Sequence, residues 1–159
     1  MSGKTVRFCG IAYLKEESGE PFVLLLPPFG RRTQAKIPGG MEEESDATPG
    51  AAVSRESLEE LGVTPEDAER VISCEDPNNP LSLRDFWGAT KWWGEIRTEV
   101  KQDNGDTLPP PIWTKIDHDL LSRDRVVYSH RKALEKIIVW AARSKFPSFY
   151  YLAKNEGLI

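Results

Sequence analysis

The sequence predicts an α/β fold with a mixed, α+β-type sheet, and three observations carry that prediction. Two apolar runs of strand length, Val6 to Leu14 and Pro21 to Pro28, flank a polar stretch containing Gly19, the punctuation of a hairpin. A helix over 49–61 has both its start and its stop written in the chain. A later helix, from Ser129 to about Lys145, carries Leu134, Ile137, Ile138 and Ala141 at i, i+3, i+4 and i+7.

The second run, PFVLLLPP, is apolar without interruption, which places it at the centre of the sheet with both faces buried. RVISCED reads as a further strand and PNNPLS, with Pro77 and Pro80 bracketing two asparagines, as a turn. Phe86 to Val100 is long and aromatic enough for one extended strand. Alternation would put Trp87, Lys91, Trp93, Glu95 and Arg97 on one face and Phe86, Trp92 and Ile96 on the other. KQDNGDTLPPP reads as a polar loop, with Asp103 and Asp106 as turn formers, and IWTKID as the last strand. The later helix would cover the second face of the sheet, with Ser129 as its N-cap and His130 at the surface. The aromatic tail, 146–159, is expected to pack on the domain or on a partner subunit.

A chain of 159 residues suffices for one domain, 1–159, because a chain of about 150 residues buries close to 70% of its unfolded surface. With 25 acidic and 21 basic residues the formal charge is −4, which excludes a nonspecific grip on bulk nucleic acid driven by net charge. Cys9 and Cys74 are too few for a disulfide framework and are expected to be buried free thiols. No charged-then-apolar leader and no apolar run near the ~20 residues that span a bilayer are present, so no membrane is expected and the cytoplasm is the expected location.

Chemistry concentrates between Ile37 and Val63. Thr48 suits the N-cap, Pro49 the first helical position and Gly62 the C-terminal stop. Glu56, Glu59 and Glu60 then crowd one helix face at i, i+3 and i+4, where each like-charge pair costs roughly 0.2–0.5 kcal/mol. Arg55, four residues before Glu59, offers internal compensation. Ala51, Leu58 and Leu61 would form the core-facing side. Read from the residues alone, this is either the solvated face of an interaction domain or a site for a hard cation such as Mg²⁺, which takes oxygen ligands. Upstream, Arg31, Arg32 and Lys36 bring positive charge next to the Gly39-Gly40 turn, and arginine's planar fork suits phosphate oxygens. Phe29 is expected to cover the sheet, and one of Trp87, Trp92 or Trp93 to reach the pocket.

The segment resembles the signature of the Nudix hydrolase superfamily: Gly, five residues, Glu, seven residues, then Arg-Glu-hydrophobic-x-Glu-Glu-x-Gly-hydrophobic. Gly40, Arg55, Glu56, Glu59, Glu60, Gly62 and Val63 occupy matching positions. Two departures stand out. The loop is one residue longer than the pattern, so its Glu slot holds Asp46 counted from Gly40 or Ala47 counted back from Arg55, and the hydrophobic slot after Glu56 is Ser57.

The resemblance implies a Nudix-type α/β/α sandwich and Mg²⁺-dependent hydrolysis of the diphosphate linkage in a nucleoside diphosphate joined to another group. A nucleoside triphosphate, ADP-ribose or a nucleotide sugar would be the small-molecule partner. It implies Glu56, Glu59 and Glu60 as metal ligands, with Mn²⁺ able to stand in for Mg²⁺. Glu59 is the first candidate for general base and Glu56 the second, with Arg55 holding the glutamates. Gly39, Gly40, Lys36, Arg31 and Arg32 would meet the substrate. A further acid of many relatives has no counterpart just before Trp113. The alternative implied is a catalytically quiet nucleotide sensor on the same fold. A homodimer is compatible with the sequence.

Overall fold

The computed structural model describes residues 5–76, 78–98, 101–103 and 106–159. Expectations involving Pro77, Glu99, Val100 and the side chains of Asp103 and Asp106 lie outside them. The elements run β1 (Val6–Glu17), β2 (Glu20–Leu25), β3 (Gly39–Met41), α1 (Pro49–Leu61), β4 (Val63–Pro65), β5 (Glu69–Asp76), β6 (Asn79–Ala89) and β7 (Trp92–Gly94). They continue with β8 (Lys101–Asp103), β9 (Asp106–Leu108), β10 (Ile112–Lys115), α2 (His118–Ser122), α3 (Tyr128–Ser144) and α4 (Pro147–Asn155).

The main sheet is mixed and has the order β10-β2-β1-β6-β5, with β3 paired to β1. β1 and β2 form the expected antiparallel hairpin, and β1 runs parallel to β6 from Val6 against Ser82 to Tyr13 against Ala89. Alternation along the central strands divides the core into two layers. Ala12, Leu14, Val23, Leu25 and Phe86 pack with Leu134, Ile137, Ile138 and Ala141 of α3. Cys9, Ile11, Tyr13, Leu24 and Leu26 pack with Ala52, Val53 and Leu61 of α1. This is the α/β/α sandwich, and β2 is buried on both faces as its unbroken apolar run predicts. Phe149 and Ala153 of α4 join the α3 layer.

Several expectations are corrected. The helix face that α1 buries is Ala52, Val53, Ser57 and Leu61, whereas Leu58 is 56% exposed and Ala51 only half-buried. Ser57 can sit inside because Tyr13 Oη lies 2.6 Å from its Oγ, which donates to the Val63 carbonyl at 2.6 Å. That turns the helix away from the purely apolar stripe. The aromatic segment is not one strand from Phe86. β6 starts at Asn79, within the expected turn, and ends at Ala89, because Asp67 accepts the Thr90 and Lys91 N–H groups at 2.8 and 2.9 Å and the Thr90 hydroxyl. After that break Trp92 and Ile96 join Trp87 on the α1 layer instead of alternating with it. Within the expected loop, β8 pairs with β9.

α3 begins at Tyr128 with Val127 as N-cap, and Ser129 Oγ instead accepts a hydrogen bond from Arg84 at 2.6 Å. His130 is buried between the Phe8 and Phe86 rings, not at the surface. Cys9 is buried as expected, but Cys74 is exposed because β5 is an edge strand. Among the described residues no helix is long and apolar enough to cross a membrane.

Candidate active site

The site is built where α1 lies against β3 and the loop between them. Thr48 caps α1 by accepting the Ala51 N–H at 3.1 Å, and Pro49 opens it. Gly62 closes the helix in the left-handed region, φ +82, with its N–H on the Leu58 carbonyl at 3.1 Å. Between these fixed ends Glu56 and Glu60 stand one turn apart on the side that meets the Gly-Gly strand.

Gly39 donates its N–H to Glu60 Oε1 at 2.8 Å, and a Cβ there would run into the β1 backbone at Cys9 and Gly10. A Cβ on Gly40 would occupy the space of the Glu56 carboxylate. The absence of side chains at both positions therefore lets β3 lie against β1 and lets Glu56 fold in against the turn. Ile37, three residues upstream of Gly40, gives its N–H to His130 Nδ1 at 3.0 Å, so α3 on the far layer anchors this segment too. Burial holds the His130 ring down to about 3, and it is neutral at physiological pH.

Arg55 is the hub of the acidic face. Its Nη1 donates to Glu56 Oε1 at 2.9 Å and lies 3.4 Å from Glu59 Oε2, and its Nη2 reaches the Met41 carbonyl at 3.1 Å. Nε and Nη2 also grip Asp46 at 3.0 and 2.9 Å, which settles the register left open by the longer loop: Asp46, not Ala47, meets Arg55. The Asp46 carboxyl is accordingly held below its ordinary value, chiefly by these hydrogen bonds from Arg55.

The two inner glutamates are reluctant anions. Burial raises Glu56 despite Arg55, and pushes Glu60 up to about 7 despite Lys36 and the Gly39 N–H. The Glu59 side chain is 58% exposed. All three glutamates line one cleft of about 270 Å³, shared with Arg32 and Arg97 and walled by Leu26, Pro27, Phe29 and Pro109. A larger cleft of about 830 Å³, between β5 and α3, contains none of these residues.

Of the expected substrate contacts, Arg32 lines the cleft, its guanidinium tied to the Pro27 carbonyl at 3.0 Å and to the Gln34 carbonyl. Lys36 acts on Glu60 through its charge without lining the cleft, and Arg31 is exposed on the neighbouring turn. Trp87, Trp92 and Trp93 are not among the lining residues. Trp87 and Trp92 pack on the α1 layer, and Trp93 pairs β7 with β4. Phe29, expected as cover, stands 41% exposed at the cleft instead. Arg97, which alternation along a single strand would leave on the face with Trp87, lies past the break and lines the cleft. Its Nε donates to the Glu60 carbonyl at 3.1 Å and its Nη2 to the Pro109 carbonyl at 3.3 Å.

The donor set suits a hard divalent cation, since three carboxylates share one cleft and two of them are raised by burial. Among the described residues no three acidic, His or Cys side chains already converge closely enough to hold one.

The sequence model of the NUDIX domain matches residues 5–112. The chain belongs to the Nudix family. Solved structures with the Nudix fold align over most of its length. The NUDIX domain of NrtR from Shewanella oneidensis, complexed with ADP ribose, is 15% identical with a TM-score of 0.66, covering 86% of this chain and 87% of that one. A MutT NUDIX hydrolase from Burkholderia pseudomallei is 23% identical with a TM-score of 0.60, covering 82% and 96%. An ADP compounds hydrolase is 16% identical with a TM-score of 0.69, covering 89% and 76%. At these identities the likeness is one of fold. No curated protein matches the sequence.

Proposed function

We propose that the chain is a single Nudix domain that hydrolyses, with Mg²⁺, the diphosphate linkage of a nucleoside diphosphate joined to another group. The observation that carries this reading is that Glu56, Glu59 and Glu60 all line the cleft that also holds Arg32. Glu56, Glu59 and Glu60 would hold Mg²⁺ or Mn²⁺. The bound ion supplies positive charge against the diphosphate and lowers the pKa of the attacking water.

The chain's own residues do the rest. Glu59, exposed at the cleft mouth, takes the proton of the water as its oxygen bonds to phosphorus, with Glu56 as second candidate. The P–O bond of the bridge breaks, and the departing phosphate keeps the electron pair. Arg55 ties Glu56 and Glu59 to one guanidinium nitrogen and anchors both to the loop through Asp46. Arg32 binds phosphate oxygens and Lys36 and Arg31 add positive charge nearby, while Gly39 and Gly40 serve the substrate through Glu60 and Glu56, which pack against them.

A sensor that binds a nucleotide without cleaving it is the second reading, suggested by the likeness to the ADP-ribose-bound domain of NrtR. Intact Glu56, Glu59 and Glu60 favour catalysis, because binding alone needs fewer carboxylates. The test is product release from nucleoside triphosphates, ADP-ribose, nucleotide sugars and dinucleoside polyphosphates with and without Mg²⁺. Mg²⁺-dependent cleavage of one class supports the hydrolase. Binding without cleavage of any of them replaces it with the sensor.

A further inference from the structure

Charge is unevenly distributed over this molecule. Acidic residues gather on α1 and the loop before it, whereas α3 carries Arg131, Lys132, Lys136 and Arg143 against Glu135 alone. Lys132, Lys136 and Arg143 recur at i, i+4 and i+11, which is one face of the helix. That face borders β5. Cys74 lies with Lys132 on a cleft of about 400 Å³, and Val71 with Lys136 and Arg143 on the cleft of about 830 Å³, so the two clefts follow one another along the same strand and helix. Between the charges the lining is apolar, from Val71, Ile72, Ala133 and Val139. β5 ends the sheet order, with β6 as its one strand partner among the described residues, and between its two register shifts residues 72–75 are regular. Its outer edge therefore offers backbone N–H and C=O groups to a further strand.

The acids of β5 do not cancel these cations. Glu69 takes the Trp140 indole N–H at 2.7 Å, Asp76 takes the Arg84 guanidinium at 3.2 Å, and Glu75, across from Leu83, alternates with Cys74 and so stands off the α3 side of the sheet. Lys132 shares its charge with Glu135 at 3.5 Å, while Lys136 and Arg143 are exposed and without an acidic partner among the described residues. We propose that the outer edge of β5 and the cationic face of α3 form a docking groove for an extended acidic peptide, which adds to the sheet as a further strand. Backbone hydrogen bonds hold that strand, and the cations select its acidic side chains. Alternate residues of a strand are about 6.6 Å apart, and Lys132 and Lys136 stand about 6 Å apart along the helix axis, so acids at alternate positions fall in step with the two lysines. The groove shares no lining residue with the carboxylate cleft and works independently of hydrolysis there.

Fluorescence anisotropy of labelled peptides with the whole chain tests this. The probes are a peptide alternating glutamate with threonine, its counterpart with lysine in place of glutamate, and the glutamate peptide with its backbone amides N-methylated. The glutamate peptide is expected to bind, more weakly as salt rises, and the other two to bind at least about tenfold more weakly. The double variant Lys136→Glu with Arg143→Glu, both at exposed positions, is expected to lose about tenfold or more of the affinity for the glutamate peptide, with an unchanged urea midpoint showing that the fold is kept. Equal affinity for the N-methylated peptide would overturn strand addition, and equal affinity in the double variant would overturn selection by α3. Absence of binding by the glutamate peptide, or tighter binding of oligothymidylate than of that peptide, would overturn the acidic peptide as the occupant.

Discussion

Arg55 and Asp46 form a two-point contact, Nε to Oδ1 at 3.0 Å and Nη2 to Oδ2 at 2.9 Å, that bridges α1 and the loop before it. The loop is one residue longer than the Nudix pattern, and the contact ties it to the Arg55 guanidinium. Asp46 also accepts the Glu43 N–H at 2.8 Å, closing the loop on itself. Because Arg55 orients Glu56 and Glu59, loss of its anchor should misplace both. Asp46→Ala is predicted to lower kcat/KM on the order of 100-fold, since displacements near 1 Å can cost that much. Asp46→Glu should retain most of the activity. Steady-state kinetics of the two variants would decide, and unchanged kinetics in Asp46→Ala would show that the loop holds Arg55 by other means.

Glu60 makes stability depend on pH in an identifiable direction. Its carboxyl is raised from 4.5 to about 7, so the folded state binds this proton more tightly than the unfolded chain. The resulting stabilisation is complete below 4.5 and is lost as pH rises through about 7, a difference of no more than about 3 kcal/mol. Glu60→Gln, which cannot ionise, should therefore gain on wild type between pH 4.5 and 8 in EDTA. Urea midpoints at both pH values measure it. The same sign predicts that Mg²⁺ affinity weakens on acidification below about 7, because the ion must displace the proton.

Ser57 replaces the hydrophobic residue of the family pattern and is paid for by its hydrogen bonds to Tyr13 and Val63. Restoring an apolar residue should therefore harm this chain. Ser57→Val would leave the Tyr13 hydroxyl and the Val63 carbonyl buried without their partner, at a cost of about 2 kcal/mol or more. The double variant Ser57→Ala with Tyr13→Phe should cost less than the sum of its parts. Additive unfolding free energies would contradict the coupling.

His130 titrates with the opposite sign. Its folded value, about 3, lies below the ordinary 6.5, so the stability it gives is present above 6.5 and lost as pH falls toward 3. At pH 4 the loss reaches about 3 kcal/mol. His130→Gln keeps an acceptor for the Ile37 N–H and cannot charge, so it should lose less stability than wild type between pH 6.5 and 4. Parallel losses would mean that the acid sensitivity arises elsewhere.

What could be read in the chain follows the range of the interactions. The caps of α1, the stripe of α3 and the double burial of β2 depend on residues a few positions apart, and each appears where the pattern puts it. Leu58 is exposed and Ser57 buried because Ser57 pairs with Tyr13, 44 positions away in the chain. Asp67 ends β6 from 23 positions upstream, so alternation does not extend past Ala89 to Trp92. Nothing near His130 in the chain announces Ile37, 93 positions away, whose N–H it accepts in the core. Within the site, the glutamates and Arg55 stand out by local spacing. Arg97 and Phe29 reach the cleft only through the folded sheet and carry no such signal.

Single-turnover hydrolysis of the best substrate with Mg²⁺ by wild type and Glu59→Gln shows directly whether Glu59 is the base. Glu59 is exposed, so the substitution leaves the fold in place. The rate is expected to fall by about 10² to 10⁴, the range for loss of a general base, while substrate binding survives. A Glu59→Gln enzyme as fast as wild type would contradict it and pass the role to Glu56.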